Sequence, residues 1–225
     1  MKNVPIKKLI EFRRYSERRK ATFVYNLKKP KEKKERSDGG NYWVRSISAL
    51  STAFKNDDIT ILKERLDLLK DDYEATDRKQ TKVMYQRNID ILYNFEDYDF
   101  SEIRPANNLT FLSKPTDKSI VKINGIPLQV LPNHVFTYGD GDKPSIGGIW
   151  FVVWLDGFKI GDLGIYSEAI FRYLSKHYSK EYTINPRDCL VVDALGGKNV
   201  DYEQVVNGEI PSLLGLTTDS LRKLI

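Results

Sequence analysis

The stretch Ile149-Trp150-Phe151-Val152-Val153-Trp154-Leu155 is apolar at every position, and its reading decides the fold. Seven residues fall far short of the roughly 20 that a membrane-spanning helix needs. A half-buried strand alternates apolar and polar residues, because successive side chains point to opposite faces. An unbroken apolar run rich in valine and aromatics therefore predicts a strand covered on both faces, the central strand of its sheet.

Outward from this strand the pattern alternates. On its C-terminal side, Leu163, Tyr166, Ile170, Tyr173 or Leu174, and His177 recur at helical spacing, with Phe171 alongside, and predict a helix over 162–178. Asp162 lies near the start of this helix, where the macrodipole favours a carboxylate. Cys189-Leu-Val-Val-Asp193 predicts a second buried strand, followed by the turn Gly196 to Asn199, an edge segment Val200 to Val206 and a terminal helix from about Thr218 to Ile225. On the N-terminal side, Ile120 to Ile123 and Ile126 to Val130 flank Asn124-Gly125. That dipeptide supplies the two positive φ angles of a tight hairpin turn. Val135 to Tyr138 reads as a further extended piece, joined to the central strand by the loop Gly139 to Ser145.

Before Pro105 the period is helical. Trp43, Ile47, Leu50 and Phe54 mark one helix face; Leu62, Leu66, Leu69 and Tyr73 a second, capped by Asp57 or Asp58; Tyr85, Ile89, Leu92 and Phe95 a third, capped by Thr76 or Asp77. The fold class expected is α/β (α+β), a mixed central sheet flanked by helices with a helical N-terminal half. A single body over 41–225 would divide into a helical part, 41–100, and a sheet-containing core, 105–225.

Charge sets the first 40 residues apart. They hold 14 Lys or Arg against 5 Asp or Glu, a net of +9, while the remainder holds 22 against 26, a net of −4. Leu9, Phe12 and Tyr15 fall at helical spacing among Arg13, Arg14, Arg18 and Arg19, and Lys28 to Gly40 has no apolar side chain. Residues 1–40 are therefore expected to form a basic arm and flexible linker outside the body, suited to a polyanion or an acidic partner. Lys7, Lys8, Arg13, Arg14, Arg18, Arg19 and Lys20 are the candidates for phosphate contact, with Tyr15, Phe23 and Tyr25 placed to stack on bases. The one cysteine, Cys189, gives no intramolecular disulfide, and no leader-like apolar segment opens the chain; a cytoplasmic protein with no membrane partner is expected.

Catalytic patterns are scarce. His134 and His177, the two histidines, are 43 residues apart and have no Cys or paired carboxylate at ligand spacing, so zinc is not expected. Gly139-Asp140-Gly141-Asp142 opens like a calcium loop but lacks the closing Glu. Gly147-Gly148 and Gly196-Gly197 lack the phosphate-loop pattern and read as turns, and no Gly-x-Ser-x-Gly elbow occurs.

The succession helix, hairpin, apolar strand, helix, strand over residues 59–193 resembles the core of the PD-(D/E)xK nuclease superfamily, in its RecB-like branch. In that family an Asp near the start of the second core strand and an acidic-x-Lys on the third bind magnesium and position the attacking water. The resemblance implies that Pro132-Asn133-His134-Val135 stands where the Pro-Asp motif belongs, and Ile149 to Trp154 where the acidic-x-Lys strand belongs. Asn133 carries no charge there, and the facing strand offers neither carboxylate nor ammonium. The next helix has Ser167, Glu168 and Phe171 in place of the family's Gln-x-x-x-Tyr.

The expectation is a non-catalytic, nucleic-acid-associated protein or complex subunit of a bacterium or phage, with a degenerate nuclease-like body, no catalytic residues, no bound metal and no cofactor. A role in DNA processing or phage defence would suit the resemblance. Two alternatives stand beside it. One is an active magnesium-dependent nuclease with relocated carboxylates, Glu64, Asp140, Asp142 or Asp156; the other is a protein-interaction module that ignores nucleic acid.

Overall fold

The computed structural model describes residues 2–29, 42–113 and 119–225. It is an α+β protein with two mixed sheets. The larger sheet has five strands, β2 (Thr110–Phe111), β5 (His134–Tyr138), β6 (Ser145–Val152), β7 (Thr183–Asp193) and β8 (Lys198–Asp201), in that spatial order. All neighbours are antiparallel except β6 and β7, which run parallel. A parallel pair needs a crossover, and α6 (Ile160–Tyr178) supplies it.

Ile149 to Val152 of the apolar run lie in the third of five strands, while Val153 to Leu155 follow its end, with Leu155 51% exposed. Ile149, Phe151 and Val153 enter one hydrophobic cluster with α3 (Val44–Asn56), α4 (Thr60–Glu74) and α5 (Lys79–Tyr93); Trp150 and Val152 enter the other, with α6. Both faces are thus covered, and alternate side chains of one strand feed two cores. The predicted helical stripes match: Leu50 and Phe54, Leu62, Leu66 and Leu69, and Ile89 and Leu92 are all buried. The expected caps are displaced: the N-cap of α4 is Ile59, without a side-chain cap, while the Asp58 carboxylate one residue earlier accepts from the Thr60 amide and hydroxyl, and the N-cap of α5 is Arg78 rather than Thr76 or Asp77.

The hairpin at Asn124-Gly125 forms, with φ of 50° and 83° at the two turn residues. It does not join the central sheet. Its strands, β3 (Ile120–Ile123) and β4 (Ile126–Gln129), make a second sheet with β1 (Val4–Pro5), which pairs parallel to β4 through Val4 and Leu128. Three other expectations are corrected. Gly147 and Gly148 are not a turn but lie within β6, where a Cβ on Gly147 would come within 2.6 Å of the Phe136 ring and one on Gly148 within 2.9 Å of Ile170. The edge segment is strand only to Asp201; the Asp201 carboxylate then caps α7 (Tyr202–Val206) by accepting from the Gln204 amide. The C-terminal helix, α8 (Leu214–Arg222), begins earlier than expected.

The largest departure concerns the leading segment. Residues 2–29 are no arm outside the body. After β1 come α1 (Ile6–Arg14) and α2 (Glu17–Lys28), and Val4, Ile6, Leu9, Ile10 and Phe12 are at most 1% exposed within the cluster that contains α6. Charge composition overstated this segment's independence because its apolar residues, spaced for one face, outweigh the charges that surround them. Most of the expected linker, residues 30–40, lies outside the described residues.

Candidate functional site

The seven cations proposed for phosphate contact divide into two sets. Arg13 Nη1 lies 2.9 Å from Asp162 Oδ1, and Arg14 pairs with Asp162 Oδ2 while donating to the Gly157 carbonyl at 3.0 Å. Asp162 is 1% exposed and also accepts from the Lys159 amide at 3.0 Å. This carboxylate, which the sequence placed near the start of α6 for the helix dipole, therefore ties α1 to α6 as well. Lys7 donates to the Val153 carbonyl at 3.0 Å. Burial, with Lys8 nearby, pulls its ammonium below the ordinary lysine value, while Glu11 and Asp156 oppose the shift. Arg13, Arg14 and Lys7 thus serve the fold, a use that the expectation of a free arm did not foresee.

The second set faces outward. Lys8 pairs with Glu11 and Lys20 with Glu17 in exposed (i, i+3) contacts, which hold the side chains weakly. Arg18 and Arg19 are exposed. On α2 and its C-terminal cap, Arg18, Thr22, Tyr25 and Lys29 follow one another at intervals of four, three and four residues, and all four are exposed. Side chains so spaced share a helix face. Tyr25 is 61% exposed, with the Lys29 ammonium 4.4 Å from its ring centroid. Tyr15 and Phe23, the other proposed stacking residues, instead pack against the core and each other, with ring centroids 6.2 Å apart.

The strand end that the resemblance singled out is apolar and closed. Asn133 Oδ1 accepts from the Phe151 amide at 2.8 Å, and the Asn133 amide donates to the Ile149 carbonyl. Ile149 and Phe151 are 0% and 3% exposed. His134 Nε2 lies 2.8 Å from the Ser51 carbonyl and 2.7 Å from its hydroxyl, with Phe54 stacked on the imidazole. Of the α6 positions, the Ser167 hydroxyl donates to the Gly164 carbonyl, Glu168 takes Ser212 and Arg172, and Phe171 stacks on Tyr202. The Asn133 side-chain carbonyl, His134 Nε2, Ser167 and Glu168 are thus engaged within the fold. Glu64, Asp140, Asp142 and Asp156 are exposed, on α4, in the β5–β6 loop and in the turn after β6. Among the described residues no group of three or more His, Cys, Asp or Glu is placed to hold a metal ion.

A polar cleft of about 540 Å³ opens at the other end of β5, lined among others by Glu102, Arg104, Tyr138, Arg187, Asp188 and Asp201. It exists because β7 bulges. Ile184 pairs with Ile146 and Cys189 with Gly148, so residues 185–188 loop out opposite Gly147. The Asn185-Pro186 dipeptide is the sequence signal for that interruption, since proline cannot donate to the ladder. The Tyr138 hydroxyl donates to the Asp188 carboxylate. Burial, then this hydrogen bond and the negative charge behind it, push the phenol up to about 12; burial raises the carboxyl too, against Tyr138 and Arg187. Sequence reading missed this pair because the two residues come from separate strands.

No helix among the described residues is long and apolar enough to cross a membrane. Comparison with protein families, with curated proteins and with solved structures returns no match.

Proposed function

We propose that this chain is a non-catalytic nucleic-acid-associated protein whose body is a degenerate version of the PD-(D/E)xK nuclease core. The observation that carries the binding half is the exposed face of α2. Arg18, Thr22, Tyr25 and Lys29 form one stripe with Arg19 beside it, and an exposed tyrosine among cations allows stacking and phosphate contact together. Residues 2–29 hold ten Lys or Arg against two Glu. Taking Arg13 and Arg14 into the Asp162 contact still leaves an excess of positive charge on this face. The other half rests on the succession β5, β6, α6, β7 and on the positions where the family carries its acids. Here Asn133 is spent on a backbone amide, and Ile149 and Phe151 are buried hydrocarbon, so those positions offer a hard cation no anionic ligand.

Binding to a labelled duplex and a labelled single strand, measured by anisotropy between about 50 and 300 mM salt, tests the reading. On duplex DNA the binding constant should fall by about 0.9 log unit per log unit of salt for each phosphate neutralised. Replacing Arg18 and Arg19 by Ala should lower that slope by about 2 and leave thermal stability unchanged, because both side chains are exposed. Absence of binding at low salt, or binding indifferent to salt, would overturn the reading. Magnesium-dependent cleavage lost on replacing Glu64, Asp140, Asp142 or Asp156 would overturn its non-catalytic part.

A further inference from the structure

A second cleft, of about 230 Å³, opens beside the C-terminal end of β6. Its walls include Ile6, Lys7, Leu131, Trp150 and Tyr166. Drug-sized ligands occupy roughly 300–1,000 Å³, so this space suits a single flat ring system. Trp150 packs edge-on to Tyr166 with centroids 5.0 Å apart, and Tyr166 is only 3% exposed. Yet neither the Tyr166 hydroxyl nor the Trp150 indole N–H has a hydrogen-bond partner among the described residues. Neither atom is sealed in the core; both reach solvent. Burial, with Glu11 and Asp162 nearby, holds that phenol above the ordinary tyrosine value, so it stays neutral and able to donate. Lys7 spends one of its three N–H groups on the Val153 carbonyl, which leaves two for a ligand.

The cleft therefore combines an aromatic wall, donors from Tyr166, Trp150 and Lys7, and the apolar side chains of Ile6 and Leu131. Its complement is a flat aromatic ring bearing carbonyl oxygens, on a chain carrying negative charge. We propose that this cleft receives one unstacked, carbonyl-bearing base of a single-stranded nucleic acid, with Trp150 and Tyr166 as the aromatic wall and Lys7 at the backbone side. The inference rests on the nucleic-acid reading above and adds a base-specific contact to it. The α2 stripe holds phosphates whatever the sequence; the cleft requires a base.

Two labelled 12-nucleotide strands separate the contributions, one of oligothymidylate and one with the same sugar-phosphate backbone and no bases. A stacked base contributes about 1–3 kcal/mol, so wild-type protein should prefer the thymidylate strand by roughly tenfold or more. Trp150→Leu should abolish the preference and leave affinity for the abasic strand unchanged. Tyr166→Phe, which keeps the ring, should reduce it several-fold. Leu131→Trp, a substitution at a position 49% exposed and so without consequence for folding, should block the cleft and also abolish it. Equal wild-type affinity for the two strands, or a preference that survives Leu131→Trp, overturns the base site while the α2 reading stands. Failure to bind either strand at low salt overturns both.

Discussion

Asp162 and its two arginines show how one charged residue can matter more to the fold than its neighbours do to any ligand. The carboxylate is 1% exposed, whereas the side chains of Arg13 and Arg14 are 29% and 28% exposed. Removing one partner of a buried pair costs about 3–5 kcal/mol when the survivor cannot reach water. The double change Arg13→Ala, Arg14→Ala strands the carboxylate and should lose about that much. Asp162→Ala frees two guanidiniums that can turn to solvent and should cost on the order of 2 kcal/mol. Urea unfolding midpoints check the order, and equal losses would refute it. Asp188 makes a pH-dependent prediction. Its carboxyl is raised in the folded state by burial, Asp201 and Glu203, against Tyr138 and Arg187. The folded protein therefore holds this proton more tightly than the unfolded chain. The associated stability is present in full below the unfolded carboxyl value and is lost as pH rises through the raised folded value. Asp188→Asn, which keeps an acceptor for Tyr138, should gain on wild type as pH rises above about 4. Parallel stability curves over that range would count against it.

At the scale of elements, β6 is specified by what it lacks as much as by its apolar run. Gly147 faces Phe136 on one neighbour and Asp188 on the other, and Gly148 lies beneath Ile170 of α6. Gly147→Ala would place a methyl group 2.8 Å from the Asp188 carbonyl oxygen, a backbone atom with little freedom to move. A loss of about 1–3 kcal/mol is expected from such overpacking, with a change at the polar cleft, since the same bulge positions Asp188. Chemical shifts at Tyr138 and Asn185 would report it. Hairpin and helices were legible because their signals are local: turn residues and periodic stripes. The Gly147-Gly148 pair reads as a turn from sequence because glycine answers equally to a bend and to crowding, and only neighbouring elements distinguish the two.

For the whole molecule, the decisive fact is that residues 2–29 belong to the core. Val4, Ile6, Leu9, Ile10, Phe12, Val24 and Leu27 are all buried. At roughly 1.5–3 kcal/mol each, their removal takes away about as much as the 5–15 kcal/mol by which a typical domain is stable. A chain lacking residues 1–29 should therefore lose its cooperative thermal transition, and a folded truncated protein would show that this layer is dispensable. Nucleic-acid contact by this segment is accordingly best tested with point variants of the exposed set, Arg18, Arg19 and Tyr25, since deletion would confound binding with folding.

The sequence by itself determined the central strand, its flanking helices and the tight hairpin, because apolar periodicity and turn chemistry act within a few residues. Tertiary structure alone decided which cations remain free, which sheet the hairpin joins, and the assembly of the Tyr138–Asp188 and Trp150–Tyr166 surroundings. Those outcomes depend on contacts between residues far apart in the chain, such as Arg13 and Asp162, 149 positions apart. The physical reason is that a charge near the start of a chain looks the same whether its partner is solvent or a carboxylate beyond the middle.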